Sequence, residues 1–179
     1  MMNTRFLKFL TGAAVLSFLL LIARGAARAA DADKPLLHAE GKVELKSPPD
    51  KAWDMVGDFT GLHHWHPGVK NVTLLEGKNR MPLAVRELDL GEGQWLISEL
   101  LEWNGQERWM RYRILKSGLP IVNYVAVVAV APTSSGGSLV TWKTEFRRRE
   151  ANGDDAGAVQ LVQGVIDGGL NNLPKVLKE

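Results

Sequence analysis

In the run Leu83–Leu90 an arginine, Arg86, alternates with Ala84, Leu88 and Leu90, while Val85, Glu87 and Asp89 take the opposite face of an extended chain. A guanidinium on an apolar face needs a partner, because an unpaired buried charge costs several kcal/mol. Glu99, in the neighbouring run Gln94–Trp103, is the natural candidate. Such an ionisable pair near a cavity belongs to a functional site, or it is a structural ion pair that catalyses nothing. Two phenols obey the same alternation. Tyr112 lies in phase with Met110 and Ile114, and Tyr124 with Val122, Ala126 and Val128, so both are expected to point inward. There they hydrogen-bond a ligand or satisfy themselves on backbone or water. Trp142 shares a face with Val140, Thr144 and Phe146, as a cavity wall or as ordinary core.

His63-His64-Trp65-His66 invites a metal reading, since imidazole is a common zinc and copper ligand. The chain has no cysteine and Asp58 is the one nearby acid, so the expectation is a solvated helix end and no metal site. Serine-nucleophile, phosphate-loop, dinucleotide and zinc-spacing motifs are absent, which argues against a cofactor enzyme and leaves no cofactor expected. Arg147-Arg148-Arg149-Glu150 is a basic run at a strand end, read as a solvated rim or as a dock for an acidic protein surface.

The elements that must position these residues follow from periodicity. Leu36–Leu45 reads as a strand, and Ser47-Pro48-Pro49-Asp50 supplies a helix start. Ala52, Trp53, Val56 and Phe59 form a helical stripe that Gly57 and Gly61 loosen and Trp65-His66-Pro67-Gly68 ends, giving a helix-break-helix pair. Six further strands are expected at Val69–Leu75, Leu83–Leu90, Gln94–Trp103, Arg108–Leu115, Val122–Ala131 and Ser138–Arg147. Their short Gly- and Asn-rich connections predict an antiparallel meander. Val159, Val162, Ile166, Leu170 and Leu173 then lie on one face of a long terminal helix that Pro174 ends or kinks. That helix is the element able to cover the sheet, and a curved sheet around one helix commonly leaves a hollow suited to a small ligand.

The chain of 179 residues carries a net charge of +2, but its first thirty residues hold Arg5, Lys8, Arg24 and Arg28 and no acid. Without them 18 basic residues face 20 acids, giving −2, so the remainder has no basic excess to bind nucleic acid. Met1–Lys8, the apolar Phe9–Ala23 and the small residues of Ala27-Arg28-Ala29 form a signal-peptide pattern over residues 1–30, followed by one domain over 31–179. The apolar stretch is short of the roughly 20 residues a spanning helix needs, so membrane attachment would arise only through an uncleaved leader. The expected location is periplasmic, which the absence of cysteine suits.

Ser47-Pro48-Pro49-Asp50-Lys51-Ala52-Trp53, followed by Gly57-Asp58-Phe59 and Trp65-His66-Pro67-Gly68-Val69, resembles the opening segment of the START-like or SRPBCC superfamily, the birch-pollen-allergen fold. Arg86, Glu99, Tyr112, Leu119-Pro120, Asn123-Tyr124, Trp142, Phe146 and Gly168-Gly169-Leu170 resemble later landmarks of its polyketide cyclase/dehydrase branch. The resemblance implies an α+β helix-grip fold: a seven-stranded curved antiparallel sheet around a long C-terminal helix, with two short helices after the first strand. It also implies a cavity for an apolar small molecule, with Trp65, His66, Pro67, Arg86, Glu99, Tyr112, Tyr124, Trp142 and Leu170 around it and the Trp65-His66-Pro67 segment at its mouth. Arg86 and Glu99 would be catalytic only in a cofactor-independent cyclase or dehydratase. With its leader the chain is similar to MxaD-type periplasmic proteins of bacterial methanol oxidation. That likeness implies a non-catalytic accessory between methanol dehydrogenase and a cytochrome c.

Overall fold

Alternation of inward apolar and outward polar residues builds the sheet strand by strand, and the turns set its order. In the computed structural model, which describes residues 34–150 and 153–179, strand β1 spans Leu37–Leu45 and helix α1 spans Pro49–Val56. A single 3₁₀ turn follows at Leu62–His64. Then come β2 (Asn71–Glu76), β3 (Val85–Gly91), β4 (Gln94–Asn104), β5 (Trp109–Ser117), β6 (Ile121–Pro132) and β7 (Ser138–Arg148). The long helix α2 (Asp155–Leu170) and the short α3 (Leu173–Val176) close the chain. The expected leader over residues 1–30 lies outside the described residues. Among those described, no helix is long and apolar enough to cross a membrane.

The seven strands form one antiparallel sheet in the order β1-β7-β6-β5-β4-β3-β2. From β2 to β7 this is the expected meander, and β1 joins beside β7 with Val43 opposite Val140. The β3–β4 connection places Gly91, Glu92 and Gly93 at φ of 81°, 54° and 74°, a left-handed path that two glycines follow without strain. Pro49 starts α1, where its missing N–H costs no helical bond, and Asp50 in the first turn complements the helix dipole. Asp154 caps α2 by accepting from the backbone N–H groups of Ala156 and Gly157 at 2.9 and 3.0 Å.

Three local expectations change. The second short helix is one 3₁₀ turn, because Gly61 precedes it and the chain must turn toward Pro67. Helix α2 stops at Leu170, and Pro174 sits in the first turn of α3, where proline is tolerated, instead of ending the long helix. In β6 the pairing slips between Val122 and Val125 around Asn123, whose φ is 53°. This bulge turns Ile121 inward beside Tyr124 and leaves Val122 half-buried, so Val122 does not share the tyrosine's face as simple alternation predicts.

The concave face and α2 enclose one core, with Phe59, Leu100, Val140, Phe146, Ile166 and Leu173 fully buried. The helix approaches β1 closely because Gly41 has no side chain: a Cβ there would lie 2.7 Å from Ile166 Cγ2 and 2.9 Å from Leu170 Cδ1. Gly169 does the same toward the aromatic cluster, its imagined Cβ falling 2.7 Å from His66 Cδ2 and 2.9 Å from Trp65 Cζ3. Gly164 and Gly168, in contrast, would direct a methyl into open space.

Substitutions along α2 therefore divide by sign. Gly164→Ala and Gly168→Ala should each stabilise the protein in urea unfolding by about 0.5–1 kcal/mol, since helix propensity is gained without a clash. Gly169→Ala should destabilise it by roughly 1–3 kcal/mol through overpacking. A stabilising Gly169→Ala would show that the aromatic cluster yields freely.

Candidate functional site

The strands that curve away from the middle of α2 leave a cavity of about 160 Å³. Its walls are Leu88 and Leu90 of β3, Leu96 and Ser98 of β4, Tyr112 and Ile114 of β5, Ile121 and Tyr124 of β6, and Trp142 of β7. Leu161, Val162 and Val165 of α2 close one side, while Leu62, His66, Gly68 and Val69 close another. Leu161 and Val165 are exposed, so they form an apolar rim and not part of the sealed core.

Arg86 is the polar centre. It is 2% exposed, and its guanidinium is held by Nε donating to Ser98 Oγ at 3.0 Å and by NH1 donating to the Phe59 carbonyl. Its Cζ lies 3.9 Å from the Phe59 ring centroid and 5.3 Å from that of Tyr112. Among the described residues no carboxylate lines the cavity. Asp58, in the wall behind, attracts the charge but spends its hydrogen bonds on Thr60 and Asn79. Burial pulls the Arg86 pKa down to about 10, against opposing attraction from neighbouring groups, so the group remains a cation at neutral pH.

The expected ion pair between Arg86 and Glu99 does not form. Arg86 stands opposite Ser98 in the β3–β4 register, and directly opposed residues share a face. Glu99, one residue on, points outward, where its carboxylate accepts from Arg113 at 2.6 Å. Glu99 is thus no cavity residue, and a proton-transfer role in the cavity does not fit its place. Ser98, the true neighbour, was legible only as the small polar residue in phase with Leu96 and Leu100.

The other expected residues separate in the same way. His66, Tyr112, Tyr124 and Trp142 line the cavity with Arg86. Trp65 is buried behind them, edge-on to Trp142 at 5.7 Å between ring centroids. Pro67 is exposed and Leu170 packs in the core against the Gly41 gap, so neither lines the hollow. Ile121, Leu119, Leu161 and Val165 are additions: the bulge at Asn123, a turn and a helix rim carry no local signature of a binding wall.

A ladder of rings, Phe59, Tyr112, Tyr124 and Phe146, runs through the core with successive centroids 6.2, 6.3 and 6.3 Å apart, its two tyrosines lining the cavity. Burial raises the pKa of both phenols, and the neighbouring Tyr112 raises Tyr124 further, so both keep their protons. The buried indole N–H of Trp142 makes no close hydrogen bond but lies near enough to the Tyr112 and Tyr124 hydroxyls to favour their charged forms against burial. The charged group here is a donor, the Arg86 guanidinium, while the two phenols can both donate and accept. Both ring nitrogens of His66 are engaged by backbone, Nε2 donating to the Val165 carbonyl at 2.9 Å and Nδ1 accepting from Gly68 N–H at 3.1 Å. Among the described residues no three His, Cys, Asp or Glu side chains gather to hold a metal.

The basic run also serves the site. Arg149 donates to the carbonyls of Leu119 (3.0 Å), Ser117 (3.0 Å) and Ile121 (3.3 Å), clamping the turn that sets Leu119 in the cavity wall. Arg148 binds Asp155 at the start of α2 and donates to the Glu150 carbonyl.

Replacing Glu99 by Gln should leave cavity binding unchanged and alter stability by less than about 1 kcal/mol, as expected of a partly exposed pair. A tenfold loss of binding, on the order expected for a group contacting the ligand, would return Glu99 to the site.

Residues 37–178 match the family described as polyketide cyclase/dehydrase and lipid transport. MLP-like protein 423 of Arabidopsis thaliana is 32% identical over 130 residues, 67% of this chain and 81% of that protein. The solved structure of the protein XoxI from Bacillus cereus is similar with a TM-score of 0.71 and 29% identity, over 79% of this chain and 96% of that one. The Zhui aromatase/cyclase of Streptomyces sp. R1128 aligns with a TM-score of 0.64 over 80% of this chain and 92% of that one; at 18% identity it shows the shared fold alone. The match along nearly the whole described domain and the sheet that grips α2 lead to one conclusion: the chain belongs to the polyketide cyclase/dehydrase and lipid transport family.

Proposed function

We propose that the protein is a periplasmic carrier or receptor for a small, mainly apolar molecule bearing an anionic or strongly accepting oxygen head. The observation that carries this reading is a fully buried guanidinium on the wall of an apolar cavity into which none of the described residues brings a carboxylate. A ligand oxygen beside Arg86 would supply the anionic acceptor that the cavity wall lacks, and charge-assisted bonds of this kind are stronger than neutral ones. The remaining wall offers Leu88, Leu96, Ile114 and Val162 to the ligand's body. A space of this volume suits about one six-membered ring.

Binding without turnover is the favoured mode. The proton-transfer group expected from sequence faces away from the cavity, the phenols hold their protons, and the imidazole has both nitrogens engaged. The periplasmic address rests on the leader pattern of residues 1–30. An accessory role between methanol dehydrogenase and a cytochrome c is the finer form of this proposal, supported by the sequence resemblance to periplasmic proteins of methanol oxidation.

Two measurements test it. Calorimetric titration with benzoate, against benzyl alcohol as the uncharged control, should favour the carboxylate by about tenfold or more, and Arg86→Met should erase that preference while unfolding at a similar or higher temperature. Equal binding of the two, or a preference that survives in Arg86→Met, overturns the anionic head. Native mass spectrometry of protein from its own periplasm should show a retained small molecule. A co-purifying dehydrogenase or cytochrome with an empty cavity would favour the accessory role, and conversion of the retained compound on incubation would favour a cyclase or dehydratase.

A further inference from the structure

We infer that His66 is a proton-operated latch on the mouth of the cavity. The imidazole joins the two elements that border the opening. Its Nε2–H is tied to the carbonyl of Val165 on α2, and its Nδ1 lone pair holds the N–H of Gly68 in the loop before β2. Both Val165 and Gly68 line the cavity. The two bonds together define one neutral tautomer, because only a ring with Nδ1 unprotonated accepts from Gly68. A proton added at Nδ1 turns that acceptor into a donor facing another donor. The Gly68 bond is then lost and an imidazolium is left in an apolar wall, so the loop must move for the ring to reach water.

The carbonyls of Val165 and of His66 itself favour a charged ring, but burial outweighs them. On its own loop the titratable neighbours are His63 and His64, whose rings contact each other at 3.9 Å between centroids, tilted by 43°. From the sheet, β7 presents the Trp142 ring at 6.1 Å, and Arg86, Tyr112 and Tyr124 stand across the same cavity. On α2 the acid two residues beyond Val165, Asp167, accepts from Gln163 at 2.9 Å. Burial accordingly lowers the His66 pKa below its ordinary value, against the opposing hydrogen bond to Val165. The sign follows: the closed form is fully favoured above about pH 6.5, the unperturbed value, and loses ground as the pH falls through the lower folded-state value.

The helix is built to yield on the latched side. Gly164 and Gly168 bracket Val165 without any packing need for glycine, since a methyl on either meets nothing. They weaken the helix where the latch holds it and lower the free energy of local opening. Leu161 and Val165, exposed on the same stretch, give the parted mouth an apolar lip along which a greasy ligand passes.

The purpose of the latch rests on the cavity being a binding site, but its test needs no ligand. Amide hydrogen exchange, read by NMR on the ligand-free protein from about pH 7.5 to about pH 5, should show Gly68 losing roughly tenfold or more of its protection with the midpoint at which the His66 ring titrates. His66→Asn, which keeps an acceptor near the Nδ1 position, and His66→Gln, which keeps a donor toward α2, should both abolish that pH dependence. Gly68 protection that stays constant in the wild type, or that falls alike in both variants, overturns the latch. Should neither variant fold, the wild-type comparison decides alone: midpoints of ring and amide that differ by more than about one pH unit overturn it. A failed benzoate titration with a surviving latch would remove the proposed ligand class only, whereas the reverse result would remove the latch only.

Discussion

The close approach of α2 to β1 and β7 governs the rest of the molecule. Gly41 and Gly169 permit it, letting Ile166 and Leu170 sit against the sheet backbone and the Trp65, His66 and Trp142 rings lie under the helix. Pinned there, the helix cannot follow the sheet as it curves away toward β3 and β4. The space that opens beneath Val162 and Val165 is the cavity. Glycines are needed where contact is tight and are dispensable where it is loose, and this contrast locates both the anchor and the soft part of one helix.

Within that space, the burial of Arg86 organises the polar groups. A guanidinium removed from water must be solvated by the protein, and this one is held by Ser98, the Phe59 carbonyl and the faces of two aromatic rings. None of these carries a negative charge. The arrangement positions the cation without neutralising it, so Arg86 is not held in a structural ion pair. The carboxylates that could have neutralised it are engaged elsewhere, Glu99 with Arg113 and Asp58 with Thr60 and Asn79.

The elements that border the opening are tied by side chains that bond to backbone carbonyls and N–H groups. Arg149 fixes the turn bearing Leu119, and Asn172 donates to the Trp65 carbonyl at 2.9 Å, tying the loop before β2 to the end of α2. His66 adds the remaining tie and can titrate. A rigid frame with one labile bond admits a ligand without loosening the fold.

Much of this was readable locally. The strand alternation, the Gly-rich turns, the inward tyrosines, Arg86 among leucines and the apolar stripe of the terminal helix depend on residues close in sequence. Period and turn chemistry suffice for such features, and they gave a seven-stranded sheet around one helix. What lay beyond the sequence depended on register and packing. Whether Ser98 or Glu99 faced Arg86 was decided by a one-residue choice of pairing between β3 and β4, which reverses every face. The inward turn of Ile121 depended on the bulge at Asn123, and the twin bonds of His66 on a helix carbonyl 99 residues away in the chain. Local physics selected the elements and the residues that enter the interior; only their assembly decided which of them meet, because contact between distant segments is set by the packing of the whole.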